Sequence, residues 1–337
     1  MILKTVARKL VYPVAFRLGA AHWAKQPQRR KMILMYHGVT KKPYLQWTPR
    51  HMTESMFDRQ LRYLKKNYHI VTLGEIFELH RNRVQPDQKT IAITFDDGYV
   101  NNLHSALPLL EKYQIPATFF VSAVCTDDPN YVLWSDVMDI IRSQTTSATL
   151  NIDGRPFQRL GKYFLFNDSL KQTAADYIKH LTPGRREEVL EKFKKEYHFE
   201  ELLQKLDPEY FRLLNVQELK TFSDSPFVEI GSHAYAHYNL AFIDQETAWE
   251  ELKKSKEKLE SVIGKTIGSL AYPDGNYNDS ILSMSEQLGY SNLIAVTYLQ
   301  ASDKLKSNLL PRFGVSNTTT LESNMIRLSR SFDLEGF

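Results

Sequence analysis

With Cys125 as its only cysteine, the 337-residue chain cannot form an internal disulfide, which excludes a disulfide-stapled scaffold. The lone thiol follows an apolar run and is expected to pack in the core rather than react. Acidic residues are missing before Glu54, whereas eleven lysines and arginines fall in that stretch. Histidine is missing after His237, so any late step that needs an imidazole must draw it from earlier in the chain. There is no internal repeat and no low-complexity tract. What is present is ordinary for a folded protein: 42% hydrophobic and 24% charged residues exclude global disorder, and the net charge is only +4.

The acid-free start has its own pattern. Ile2, Leu3, Val6, Leu10, Val14 and Leu18 recur at three- and four-residue steps, which gives residues 1–30 one apolar stripe with basic flanks. Pro13 would kink or restart such a helix. Arg8, Lys9 and Arg17 interrupt the apolar region that a cleavable secretory signal needs, and the segment is too short and too charged to span a bilayer. Two readings stay open: an interfacial helix on an anionic membrane surface, or a helix packed on the folded body with its charges solvated. The first implies a cytoplasmic protein, peripheral on the inner face of the cytoplasmic membrane. No basic-aromatic motif accompanies the charge, so nucleic acid is not an expected partner.

Beyond the arm, apolar β-branched runs alternate with amphipathic stretches. Strands are predicted at 31–37, 91–95, 117–122, 227–231, 268–272 and 292–296, and helices at 53–66, 106–113, 245–263 and 279–288. Repeated β-α-β order implies an α/β fold with a parallel sheet. About a hundred residues interrupt it, too long for a structureless loop. They contain a helix from Trp134, a hairpin across Asp153-Gly154 and a charged helix over 184–196. The expected organisation is an arm at 1–30, a main body at 31–122 and 227–320, an inserted subdomain at 123–226 and a C-terminal helix or tail at 321–337. The insertion leaves near Asp97 and returns just before His233, so it either covers the site or lies on a neighbouring core face.

Two clusters carry chemistry. Thr94-Phe95-Asp96-Asp97-Gly98 ends one buried strand in paired carboxylates, and Gly231-Ser232-His233-Ala234-Tyr235-Ala236-His237 ends another in paired imidazoles. Histidines four apart share a side if the backbone makes a helical turn, so Asp97, His233 and His237 offer three ligands with room for a water, the usual arrangement for catalytic zinc. Strand alternation predicts that Asp96 and Asp97 point to opposite faces, so that both cannot bind one ion alike.

Together with Pro116-Ala117-Thr118-Phe119-Phe120-Val121 and Ala271-Tyr272-Pro273-Asp274-Gly275, these segments resemble the polysaccharide deacetylases of carbohydrate esterase family four, the NodB-homology fold. The resemblance runs from Met32 to about Gly314. It implies an irregular (β/α) barrel that removes N-acetyl groups from amino sugars of a polysaccharide, oligosaccharide or lipid-linked sugar with one divalent metal, most often Zn2+. It also implies Asp96 as general base and Asp97 with the two histidines as metal ligands. The family's late acid histidine has no counterpart here, but Met35-Tyr36-His37-Gly38 resembles the segment that carries it in the circularly permuted poly-N-acetylglucosamine deacetylase branch. His37 is therefore the expected acid, provided its strand lies beside the last one.

Two departures follow. The family's arginine that holds the base aspartate is replaced by Ala271, and Arg312 is the candidate substitute, with an ordinary surface arginine as the alternative. A serine or threonine usual after the first histidine is Ala234, which removes a hydrogen bond behind the metal. Asp274 is unusual at its slot, though its backbone N–H remains a candidate oxyanion donor. Tyr99, Tyr272 and Trp134 are candidate sugar-stacking residues, with core packing the alternative. Rival readings are a catalytically silent glycan-binding protein on the same scaffold, and a deformylase or O-deacetylase with the same machinery.

Overall fold

The structure, a computed structural model, describes residues 12–17, 31–42, 50–144, 148–160, 164–317 and 319–331. Most of the basic arm at 1–30, and the end of the tail expected at 321–337, lie outside these residues. The body is a parallel sheet curled into a nearly closed barrel. Its strands are β1 (Lys31–Tyr36), β4 (His69–Ile70), β5 (Thr90–Phe95), β6 (Ala117–Val121), β11 (Val228–Ser232), β12 (Ser269–Ala271), β13 (Asn292–Ala295), β14 (Leu309–Pro311) and β15 (Phe313–Gly314). Two short strands, β2 (Gly38–Thr40) and β3 (His51–Thr53), pair with each other beside it.

Every residue of β5 and β6 is buried. That explains why their sequences are continuous apolar and β-branched runs rather than alternating ones: helices cover one face of the sheet and the barrel interior the other. The order around the sheet is β14-β13-β12-β11-β6-β5-β1-β15. Because β14 and β15 are separated only by Arg312, one stretch of chain pairs with β13 through Leu309–Pro311 and with β1 through Phe313–Gly314. The first strand thus lies against the last, with Leu34 opposite Phe313. Phe95 and Phe119 stack on the outer face of the sheet with centroids 4.6 Å apart, beneath the helix residues Phe57 and Phe222.

Helix Glu54–Asn67 follows β3 with Thr53 as N-cap, accepting a hydrogen bond from the Met56 amide, and buries Phe57, Leu61 and Leu64. Helix Gln245–Ile263 begins at Asp244 and stops at Gly264, whose φ of 67° favours glycine. The described turn of the arm, Tyr12–Arg17, packs on the first of these helices, with Phe16 5.4 Å from the Tyr63 ring. Helix Leu321–Ser331 buries Met325 and Leu328 in the same core.

Between β6 and β11 the chain builds a second apolar cluster around Trp134, Val137, Ile140, Phe157, Ile178 and Phe193. It consists of a four-stranded antiparallel sheet, β7 (Thr149–Ile152), β8 (Arg155–Leu160), β9 (Phe164–Asn167) and β10 (Gln172–Thr173), with helices Trp134–Gln144, Ala174–Lys179, Pro183–Glu196 and Phe199–Leu203. The β7–β8 turn places Asp153 and Gly154 at φ 53° and 73°, the paired left-handed conformation of a tight hairpin.

Candidate active site

Parallel strands place all their carboxyl ends on one rim, and the candidate residues gather there. His37 follows β1, Asp96 and Asp97 follow β5, His233 follows β11, Asp274 lies just past β12 and Arg312 follows β14. Backbone pairing continues past the strand ends and fixes these positions. The Asp96 amide donates to Tyr36 (3.0 Å), and the His233 amide donates to Val121 (2.9 Å). The residues border a cavity of about 360 Å³ that the insertion lines on one side through Trp134, Asp139, Asp176 and Lys179.

Asp97, His233 and His237 converge. One Asp97 oxygen lies 3.3 Å from His237 Nε2 and 3.6 Å from His233 Nε2, and one potential ligand atom from each residue falls within 4.8 Å of the others. The His233 Nδ1–H donates to the Ala271 carbonyl at 2.8 Å, which leaves Nε2 as the free lone pair facing Asp97. His237 Nδ1 is buried without a protein partner. A carboxylate oxygen and two imidazole nitrogens at this spacing fit a divalent cation such as Zn2+.

The convergence does not use a helical turn, contrary to the expectation from the four-residue spacing. Residues 233–237 form an irregular loop with Ala234 and His237 at φ 59° and 56°. The groups that a helix would pair internally are paired outward: the carbonyls of Ala234 and Tyr235 accept from Ala123 and Val124, and the amides of Tyr235 and Ala236 donate to Glu251. Strand alternation also fails to separate Asp96 from Asp97. Asp97 lies past the end of β5 at φ 77°, so both carboxylates face the same cavity. Gly98 follows at φ 85°, where an added Cβ would sit 2.9 Å from Val121.

Arg312, the candidate substitute for the arginine missing at Ala271, pairs with Asp96. Its guanidinium makes a bidentate pair with Asp96, Nη1 to Oδ1 at 2.6 Å and Nη2 to Oδ2 at 2.7 Å, with both side chains buried. Burial alone would raise Asp96, but the charge and hydrogen bonds of Arg312 outweigh it and hold the carboxyl below its ordinary value. Burial likewise pushes Asp97 up, and the His237 hydrogen bond with the imidazoles around it carries it far below the carboxylate range. His233 is pushed down to about 4, chiefly by burial. His37, half-buried at the cavity edge, is lowered by burial against the opposing pull of Asp97 and Asp96.

The aromatic candidates fare differently. Tyr99 and Tyr272 are fully buried, so neither offers a face to a sugar. The Tyr99 hydroxyl donates to Asp136 (2.8 Å) and that of Tyr272 to Ser285 (3.0 Å), which places both in the core. Gly98 turns the chain inward and sets Tyr99 in an isolated antiparallel bridge with Leu213. Trp134 borders the cavity but is only 5% exposed, with the Arg186 guanidinium 5.8 Å from its ring. The Asp274 side chain is held by Lys179 at 3.2 Å and accepts from Asn239 at 3.4 Å, with φ 60° at its own backbone.

Sequence reasoning missed Arg50, which borders the cavity and pairs with the buried Asp136 and with Asp139 (3.0 Å) on the insertion's first helix. Asp136 carried a readable signal: it lies on the same helical face as Leu133, Val137 and Ile140, where an unpaired acid would be costly. Arg186 gave no comparable signal, since it is one of five cations in its helix, and neither did Lys179, an ordinary lysine in the last turn of a short one.

A sequence profile described as polysaccharide deacetylase matches residues 83–149 and 187–293, which include Asp96, Asp97, His233, His237 and Asp274 but neither His37 nor Arg312. The chain is 33% identical over 101 residues to YxkH of Bacillus subtilis (strain 168), covering 29% of this chain and 34% of that protein. It is 26% identical over 106 residues to the poly-beta-1,6-N-acetyl-D-glucosamine N-deacetylase of Escherichia coli (strain K12), covering 27% of this chain and 16% of that one. These matches therefore span about a third or less of the curated relatives. Among solved structures, the Streptococcus pyogenes deacetylase PplD in complex with acetate superposes with a TM-score of 0.56 at 19% identity, covering 88% of this chain and 97% of that one, a likeness of fold.

Proposed function

The chain belongs to the polysaccharide deacetylase family, and we propose that it is a metal-dependent hydrolase that removes N-acetyl groups from amino sugars. The observation that carries this reading is the meeting of Asp97, His233 and His237 beside an ion-paired Asp96 on one rim. A divalent cation held by those three ligands, with Zn2+ suited to a carboxylate and two imidazoles, would supply a water acidified from a pKa of about 16 to near 7 and a polarised carbonyl. Asp96, kept ionised by Arg312, takes the proton from the attacking water. His37 returns a proton to the departing amine, so that one water and one amide give acetate and a free amino sugar. The backbone N–H of Asp274 is the proposed oxyanion donor, at the turn anchored through its side chain to Lys179.

The silent-scaffold alternative drew on Ala271 and Ala234, and Arg312 weakens the first of these grounds by supplying a guanidinium to Asp96 from another strand. The substrate class is an N-acetylated glycan, in keeping with the name of the Escherichia coli relative. The acid-free start of the chain favours a lipid-linked sugar at the cytoplasmic face of an anionic membrane, although no helix among the described residues is long and apolar enough to cross one. Co-sedimentation with anionic vesicles tests that surface. The decisive experiment combines metal analysis with acyl release from chitin-like oligosaccharides, poly-N-acetylglucosamine and lipid-linked sugars. The intact protein should bind Zn2+ and release acetate, and Asp97→Ala or His233→Ala should lose both. Undiminished release from a fully chelated sample would reject the proposal, and release of formate or of O-linked acetate would reassign the acyl group.

A further inference from the structure

The loop that carries both candidate histidine ligands owes little of its shape to itself. From one side, Glu251 on helix Gln245–Ile263 accepts the Tyr235 and Ala236 amides at 3.1 and 2.8 Å. From the other, Arg186 on helix Pro183–Glu196 of the insertion donates Nη2–H to the Ala236 carbonyl and Nη1–H to the His237 carbonyl, each at 3.4 Å. The same guanidinium lies 4.0 Å from the Tyr238 ring centroid, and the Tyr238 hydroxyl donates to Glu187 on that helix at 3.3 Å. One helix of the insertion therefore holds three consecutive residues, 236 to 238, including a candidate ligand in a left-handed backbone conformation.

Arg186 is only 2% exposed, and its nearest carboxylate, Glu187, is 3.7 Å from Nε. Burying a guanidinium is costly even with a carboxylate 3.7 Å away, and an apolar side chain would attach the insertion to the barrel with no such penalty. What an apolar side chain cannot supply is a planar fork that reaches two successive carbonyls. Resting on the deacetylase reading above, we infer that Arg186 is a positioning residue for the metal site: it fixes the backbone at Ala236 and His237 and so aims the His237 imidazole. The insertion is then a structural part of the ligand set as well as one wall of the cavity.

The test uses the full chain and Zn2+ itself, titrated against a competing chelator, with Arg186→Met, Arg186→Lys and Arg185→Ala. Arg185, on the same helix, is exposed and pairs with Asp153 and Glu188 within the insertion, so its loss reports on the insertion alone. Removing a group that orients a metal ligand typically weakens metal binding by about 10- to 100-fold. That loss is expected for Arg186→Met, with affinity unchanged in Arg185→Ala. Arg186→Lys keeps the charge but not the fork, and should bind Zn2+ at least about tenfold more weakly than the parent. If Arg186→Met does not fold, the lysine variant decides by that criterion. Parental Zn2+ affinity in a folded Arg186 variant would overturn the inference and leave Arg186 as an adhesive contact. A parent protein that takes up no Zn2+ would instead defeat the deacetylase reading beneath it.

Discussion

Two side chains show how little of a residue's role its type alone decides. Arg312 and Asp96 are more than two hundred positions apart, yet they form a bidentate pair with almost no solvent around it. Arg312→Met should cost about 3–5 kcal/mol of stability in denaturant unfolding, because it strands a buried carboxylate. Adding Asp96→Asn should recover part of that loss, since the two effects share one interaction. The pair also sets a pH dependence. Asp96 is lowered in the folded protein, so its contribution is present above the ordinary carboxylate range and disappears as pH falls through its depressed value. With Arg312 gone, Asp96 rises and the acid limb of the pH–rate profile should move to higher pH; an unmoved limb would remove Asp96 as the base. Cys125 illustrates the opposite case. Burial pushes its thiol up to about 12, so it should resist a thiol reagent in the native protein and react on unfolding.

At the scale of the element, the sequence identified strands and helices well because their apolar patterns are long and their caps explicit. Thr53, Asp244 and Gly264 bound their helices where cap chemistry places them. The ligand loop was the hardest to read. A four-residue histidine spacing suggests a helical turn, but φ values near 60° at Ala234 and His237 depend on partners at Ala123, Glu251 and Arg186 that no local window contains. The same holds for Tyr99, which looks like a surface aromatic beside a carboxylate pair until Gly98 turns it beneath the insertion. Ala234 is fully buried in that left-handed conformation, so Ala234→Val should destabilise the fold by more than about 1 kcal/mol and weaken Zn2+ binding with it. Thermal melting and chelator competition on the same variant would check both.

For the whole molecule, the strongest consequence of the proposed site is linkage. Buried ligands that close on a cation only in the folded state should make stability depend on it. Zn2+ at a hundred times its dissociation constant should add about 2.7 kcal/mol, and a chelator should remove that gain, visible as a shift in melting temperature. Asp97→Ala should melt at the same temperature with or without the metal. The meeting of carboxylates and imidazoles from strands far apart in the chain was readable from motif order and strand-end placement. The tie between Arg50 and the Asp136 helix was not, because it joins the short-strand pair to the insertion across a contact that only the finished fold creates.

The shared stretch Leu309–Gly314 has a final implication for biogenesis. Lys31–Tyr36 emerges from the ribosome early, yet one of its two neighbours is translated nearly three hundred residues later. Ring closure and the pairing of Asp96 with Arg312 thus occur in a single late event, and pairing over so great a separation is expected to be slow. A polypeptide arrested before Arg312 would carry both candidate ligand motifs and still be catalytically unfinished.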